Sequence, residues 1–324
     1  MSKAIVQHSH GGPEVLIYED VEVAAPGADE VTVRHTAIGV NFIDVYIRTG
    51  AYPLLTPPGV NGVEAAGVIE AIGSRVSKLR VGDRVAYVHN VPGAYSTFRT
   101  MPAAKLVKLR DDIDDRAAAA MLLKGMTAEY LLHRTAPVRA GDTILVHAAA
   151  GGVGLILTSW GKALGCTVIG TTSSEAKADL ATAHGADHVI VTQRDSVAAK
   201  VAELTGGRGC RVVYDGVGKD TWDTSLEAIA RHGHLVSYGN ASGPVPPVNL
   251  PVLSPKCIAL SRPTLFGYIS TPDELGDVAG NLFDAMRSGA VRVDINQTYP
   301  LADAAQAHRD LEGRKTTGQT LLIP

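Results

Sequence analysis

The stretch Thr143-Ile144-Leu145-Val146-His147-Ala148-Ala149-Ala150-Gly151-Gly152-Val153-Gly154 constrains this chain more than any other. An apolar run of strand length gives way to small residues, then to a helical pattern from Val153 to Leu164. Gly165 follows, and glycine suits the left-handed position that closes a helix. Thr167 to Thr171 reads as the next strand, so the motif lies in a strand–helix–strand unit. Ala149, Gly151 and Gly154 carry the spacing of a dinucleotide fingerprint. Small residues there let the chain turn, let backbone N–H groups approach a pyrophosphate, and let the helix pack on the strand. The competing reading is a tight strand-to-helix turn that binds nothing.

Around this stretch the pattern alternates. Strands are expected near 143–147, 167–171, 188–191, 211–214 and 234–238, with helices at about 153–164, 175–184, 196–204 and 219–231. Such alternation predicts an α/β domain with a doubly wound parallel sheet. The earlier part of the chain is β-rich: Val31 to Val40 alternates, Glu64 to Gly73 reads as a strand, and Val81 to Tyr87 as a turn feeding one. Asn41 to Thr49 has helical spacing, and a Pro- and Gly-rich loop runs from Tyr52 to Gly62. Short strands with turn signals predict a barrel-like β domain. Asp115 to Leu132 reads as one or two helices. Further on, Cys257 to Leu260 reads as a strand, 273–287 as a helix, Val291 as a short strand, 302–312 as a helix, and Gln319 to Pro324 as a final strand.

A length of 324 residues accommodates two domains. Net charge is −3 with no long basic run, which argues against nucleic acid or a membrane surface as the main partner. The N-terminus has no apolar leader pattern, and no stretch reaches about 18 apolar residues, so neither a signal peptide nor a spanning helix is expected. Cys166, Cys210 and Cys257 are scattered and odd in number. They fit a reducing compartment, and the expected location is cytoplasmic.

Cofactor choice is read at the end of the second strand, where an NAD site wants a carboxylate about 20 residues after the glycines. Thr171-Thr172-Ser173-Ser174 stand there instead. The first acid, Glu175, pairs with Thr172 as a capping box. Lys177 in the first helical turn opposes the helix dipole, which suits a 2′-phosphate contact better than a purely helical role. The expectation is NADPH over NADH. Zinc ligation is not expected: Val63 and Asn41 stand where zinc dehydrogenases of this layout carry His and Cys ligands. The chemistry then belongs to the cofactor, with the protein supplying position. Candidate substrate contacts are Asn41, Asp44, Tyr46, Arg48 and Tyr52. Asn41 can offer an amide N–H to an oxygen; Tyr46 and Tyr52 can stack on a flat substrate and donate a phenolic hydrogen bond. Tyr46 equally reads as core. His147, at the strand end, reads as a structural histidine meeting the backbone.

Taken together, Gly141-Asp142-x-x-Leu145-x-x-x-Ala149-Ala150-Gly151-Gly152-x-Gly154 resembles the signature of the quinone oxidoreductase and zeta-crystallin family, within the zinc-free medium-chain dehydrogenase/reductases. His10-Gly11-Gly12-Pro13-Glu14-Val15, Asn41-Phe42-Ile43-Asp44, Leu123-Lys124-Gly125-Met126-Thr127-Ala128, Val213-Tyr214-Asp215-Gly216-Val217-Gly218, Tyr238-Gly239-Asn240 and Arg262-Pro263-Thr264-Leu265-Phe266-Gly267-Tyr268 agree. The likeness spans the chain and is greatest to the bacterial quinone oxidoreductases.

The resemblance implies a GroES-like catalytic β domain from 1–123 and 266–324, a Rossmann NADPH-binding domain from 124–265, a cleft between them, and a homodimer. It implies hydride transfer from NADPH to a quinone without metal or flavin. An enone or alkenal double-bond reductase, and a non-catalytic NADPH-binding crystallin-like or RNA-binding protein, are the alternatives. It places cofactor contacts at Phe42, Ile43, Asp44, Val45, Tyr46, Tyr130, Gly151, Gly152, Val153, Gly154, Ser173, Ser174, Glu175, Ala176, Lys177, Val217, Ser242, Phe266 and Gly318. Ser159 replaces the signature's usual Gln. Thr192 stands where the family often has a Tyr beside the adenosine phosphate, with Arg194 nearby as a source of charge.

Overall fold

A computed structural model describes residues 2–324. Contacts divide the chain into two compact units. One takes the chain up to Lys124 together with Ile269–Phe283 and Val293–Pro324; the other takes Gly125–Tyr268 and Asp284–Arg292.

The second unit is built on a parallel sheet whose strands lie in the order His188–Val191, Thr167–Thr172, Thr143–Val146, Cys210–Asp215, Ile229–Ser237 and Ala259–Ser261. In chain order this is the 3-2-1-4-5-6 arrangement of dinucleotide-binding domains, with the sequence reversing direction beside Thr143–Val146. The strands are β-branched and apolar because both faces are covered. Leu145, Ile169, Val213 and Leu235 are fully buried and pack with Val201 and Trp222 from the helices. Each such aliphatic side chain contributes roughly 1.5–3 kcal/mol through burial.

The first unit is mostly antiparallel. Leu16–Val21, Ser2–Gln7 and Gly59–Val60 make a small sheet, and Glu30–Gly39 is the central strand of a larger one, paired with Glu64–Ile72, Phe98–Pro102 and Gln319–Ile323. Ile5, Ile38, Tyr87, Tyr95 and Leu322 share its core. The helix Phe42–Thr49 follows the central strand. Asp44 in its first turn accepts from the Asn41 N–H at 2.8 Å, and Gly50 closes it with φ 80°.

Two expectations differ from the structure, and a third, left open between one helix and two, is resolved by it. The helix expected at 219–231 is only Trp222–Ala228, and the next strand starts at Ile229. Cys210 pairs with Ile229 but Val212 pairs with His234, so the intervening residues loop out of register, with His232 at φ 60°. Helical patterning cannot reveal such a bulge. The strand expected near Val291 is absent among the described residues; the strand lies at Ile295–Pro300, parallel to Gln319–Ile323. Asp115–Tyr130 is one helix that passes into a π turn at Leu131–Thr135.

Candidate functional site

The small-residue turn is as tight as its sequence demands. Ala148 takes φ 52°, a left-handed conformation rare outside glycine, and its carbonyl accepts from Gly151 N–H at 2.9 Å. The sharp bend thus falls one residue before Ala149, which the fingerprint spacing puts in the first slot. A Cβ on Gly154 would come 2.2 Å from the Ala148 oxygen, so only glycine fits there. The helix Gly152–Ala163 starts with Gly151 as its N-cap, a residue with no side chain to cap the first turn. A close, uncrowded helix N-terminus of this kind fits a pyrophosphate.

At the end of Thr167–Thr172, Ser173, Ser174 and Lys177 are half-buried, whereas Glu175 and Ala176 are exposed. The expected Thr172–Glu175 capping box does not form. The N-cap is Ser174, the Thr172 hydroxyl donates to the Ser174 carbonyl at 3.2 Å, and Glu175 pairs instead with Arg194. Arg194 also holds Asp195 at 3.0 Å, so its charge is shared between two carboxylates. Thr192 is exposed, and its hydroxyl donates to the Thr172 carbonyl at 3.2 Å.

Elsewhere in this unit, the Val217 N–H donates to Asp215 Oδ1 at 2.9 Å, and the Val217 carbonyl accepts from both the N–H and the hydroxyl of Ser242. Tyr130 is buried and stacks on Tyr268 at 4.5 Å and 6°, so its ring already has a partner. Phe266 is half-buried in the short turn Leu265–Gly267. His147 is buried and meets side chains, Thr171 and Ser225, rather than the backbone as expected.

In the first unit, Asn41 and Asp44 face inward. Asn41 Nδ2 donates to Glu64 Oε2 at 2.8 Å, and Glu64 Oε1 accepts from the Leu123 N–H at 2.6 Å. Asp44 Oδ2 accepts from the Tyr95 hydroxyl at 3.0 Å. Lys124 is buried alongside. Burial pushes the Asp44 carboxyl up to about 7, and Glu64 adds to that while Asn41, Tyr95 and Lys124 oppose it. Burial also raises Glu64 and lowers Lys124, each opposed by the other's charge. Arg48 is not a surface contact either: it is 1% exposed, makes a bidentate pair with Glu312 at 2.8 Å, and donates to His308 and the Gly11 carbonyl.

The remaining side chains of this helix differ. Phe42, Ile43 and Tyr46 are half-buried, as is Tyr52, while Val45 is buried. The Tyr46 and Tyr52 rings lie 4.9 Å apart, Phe42 and Tyr46 6.1 Å apart, and the Tyr52 N–H donates to the Tyr46 carbonyl at 3.0 Å. The result is a partly exposed aromatic shelf. Gly318 has φ 56°. Glu64, Lys124, Asp215 and Ser225 were not among the candidate site residues, although Lys124 and Asp215 lie in the family runs quoted above and Glu64 opens an expected strand. A lysine within the Ala-rich run that precedes Gly125 was the available signal for one of them.

Among the described residues, no group of three or more His, Cys, Asp or Glu is placed to hold a metal ion. No helix among them is long and apolar enough to cross a membrane.

Residues 27–140 match the family described as alcohol dehydrogenase GroES-like domain, and residues 152–282 the one described as zinc-binding dehydrogenase. The metal in that second description has no matching donor set among the described residues. The chain is 52% identical to a quinone oxidoreductase of Pseudomonas aeruginosa, over 100% of both chains. It is 44% identical to a 2-haloacrylate reductase of a Burkholderia species, over 100% of this chain and 99% of the relative. It superposes on the crystal structure of Escherichia coli quinone oxidoreductase complexed with NADPH with a TM-score of 0.97 at 45% identity, covering 99% of this chain and 100% of that one.

Proposed function

The chain belongs to the quinone oxidoreductase family of medium-chain dehydrogenase/reductases, and from that premise we propose that it is an NADPH-dependent quinone reductase. The observation that carries the reading is the turn at Ala148–Gly154, where a Cβ on Gly154 would strike the Ala148 oxygen at 2.2 Å and the helix N-terminus begins without a side-chain cap. NADPH, when bound, supplies the hydride. Gly151, Gly152, Val153 and Gly154 hold the pyrophosphate through the helix N-terminus. Ser173, Ser174 and Lys177 hold the 2′-phosphate, with Thr192 at the margin and Glu175 and Ala176 as backbone. Val217, Ser242 and Phe266 complete the contacts of this unit. In the first unit, Phe42, Tyr46 and Tyr52 offer a shelf for a flat ring and exclude water from it. Ile43 and Val45 carry that shelf, and Gly318 supplies backbone. Asn41 and Asp44 act from within, fixing the start of the helix. Neither metal nor flavin has a role in this scheme.

The likeness to a 2-haloacrylate reductase favours a second reading, since a haloacrylate is an activated alkene. One experiment separates them: NADPH oxidation against a panel of quinones and a panel of enones. Turnover confined to enones would replace the quinone reading, and no turnover with either would leave a binding protein. We further propose a cytoplasmic homodimer. Unpaired Cys166, Cys210 and Cys257 support the compartment. The exposed Leu250 and Val252, close in sequence to the edge strand Ala259–Ser261, support pairing with a second copy.

A further inference from the structure

Ser225 belongs to no motif considered so far, yet it is fully buried and joins a buried histidine to a buried carboxylate. Its hydroxyl donates to Asp215 Oδ2 at 2.7 Å. A hydroxyl has one proton, and Asp215 takes it. Toward His147 Nε2, at 3.0 Å, the Ser225 oxygen must therefore accept, which places the ring proton on Nε2. His147 Nδ1 is then an acceptor for the Thr171 hydroxyl at 3.1 Å, and the Thr171 oxygen accepts the Ala148 N–H at 3.3 Å. Every proton is used once and every link points the same way. Burial holds the His147 ring toward its neutral form, in keeping with this tautomer.

The two ends of this chain are what matter. One end is the N–H of Ala148, the left-handed residue of the small-residue turn. The other is Asp215, whose Oδ1 accepts the N–H groups of Val217 and Gly218 at 2.9 Å and the Thr221 hydroxyl at 2.8 Å. The chain ties together the C-terminal ends of Thr143–Val146, Thr167–Thr172 and Cys210–Asp215, the edge at which open α/β sheets bind ligands. We propose that Thr171, His147, Ser225 and Asp215 form one oriented hydrogen-bond chain that sets the small-residue turn and the 216–221 loop in a single register for the dinucleotide. All are positioning residues and act through backbone geometry. The proposal rests on the dinucleotide reading given above.

The test is Ser225→Ala, which removes both the donor to Asp215 and the acceptor for His147. Thr171→Val, which keeps the branched shape and cuts the other end, serves if Ser225→Ala does not fold. NADPH affinity by titration should weaken about 3- to 30-fold in either variant. The acceptor KM and the kcat at saturating NADPH should stay within about twofold. Amide exchange of 147–154 and 216–221 should rise together in the unliganded protein. Unchanged affinity with only a lower Tm, or faster exchange in one segment alone, overturns the proposal. A parent that does not bind NADPH at all removes the dinucleotide reading itself, a result distinct from equal binding by parent and variant.

Discussion

The amide of Asn41 donates its Nδ2 proton to Glu64 Oε2 at 2.8 Å, inside a region where Asn41 is 3% exposed and Glu64 is fully buried. The carboxylate's other oxygen is taken by the Leu123 N–H. Asn41, at one of the two ligand positions, is therefore engaged by a protein partner and its amide is a poor zinc ligand, while Val63 at the other offers no donor atom. Elemental analysis should show no stoichiometric zinc, and a strong chelator should leave turnover unchanged. One zinc per chain, or loss of activity that zinc restores, would refute this.

Arg48 and Glu312 should act on stability rather than on kinetics. Removing Glu312 leaves a guanidinium that is 1% exposed without its carboxylate, although His308 and the Gly11 carbonyl still accept from it. Glu312→Ala should cost about 2–3 kcal/mol in urea melts, less than the ~3–5 kcal/mol of a fully buried pair because Glu312 is 34% exposed. The KM values for NADPH and acceptor should hold in the folded variant. A large rise in either KM without destabilisation would return Arg48 to the ligand contacts.

Asp44 gives stability a pH dependence of defined sign. Burial lifts its carboxyl from 3.8 to about 7 in the folded protein. Between those values the native state keeps a proton that the unfolded chain has released, so this group's contribution is present at low pH and is lost as pH rises toward 7. Glu64, Lys124, Tyr95 and Asn41 surround it and shape the shift. Asp44→Asn keeps an oxygen for the Asn41 and Tyr95 donors and cannot titrate. Between about pH 5 and pH 7 the parent should lose on the order of 1 kcal/mol of stability per pH unit relative to this variant. Parallel pH profiles for the two proteins would show that Asp44 is ionised throughout.

Local chemistry made part of this legible. The turn at Ala148–Gly154, the helix Phe42–Thr49 and the parallel strands all follow from neighbouring residues, so their periodicity and small-residue spacing foretell them. What escaped depends on residues distant in sequence. Arg48 meets Glu312 across 264 positions, and Asn41 meets Glu64 across 23. A polar side chain at a helix start reads alike from sequence whether it turns outward to a ligand or inward to a buried partner. The Thr172–Glu175 capping box failed for a related reason: Arg194, in the turn just after the neighbouring strand His188–Val191, pairs with Glu175. The bulge at 230–233 is likewise set by pairing between strands and leaves no local periodicity.

Tyr52 tests the aromatic shelf. Its ring rests 4.9 Å from that of Tyr46 and is only half-buried, so truncation removes contact area without opening a core cavity. Tyr52→Ala should raise the acceptor KM by roughly 3- to 10-fold, as loss of about 0.5–1.5 kcal/mol of ring contact implies. The NADPH KM should move little, and kcat should hold if the contact is equal in ground and transition states. Unchanged kinetics would assign Tyr52 to surface packing, and a collapse of Tm to the core.

Lys177 tests cofactor choice. No carboxylate stands at the end of Thr167–Thr172, where one would hold a ribose diol and repel a phosphate. Ser173, Ser174 and Lys177 stand there half-buried, and the acid that follows, Glu175, is occupied by Arg194. That pairing also blunts the negative charge of Glu175. A 2′-phosphate carries about −1.5 to −2 charge, so an ammonium beside it makes a charge-assisted hydrogen bond. Such a bond contributes about 1.5–3 kcal/mol, and Lys177→Ala should weaken NADPH binding about 10- to 150-fold. NADH lacks the phosphate, so its KM should barely change. The kcat should also hold, because the phosphate is remote from the transferred hydride and binds alike in ground and transition states. The parent should prefer NADPH by at least about tenfold in kcat/KM, and the variant should lose most of that margin. Equal use of both cofactors by the parent, or equal damage to both in the variant, would show that Lys177 does not read the phosphate.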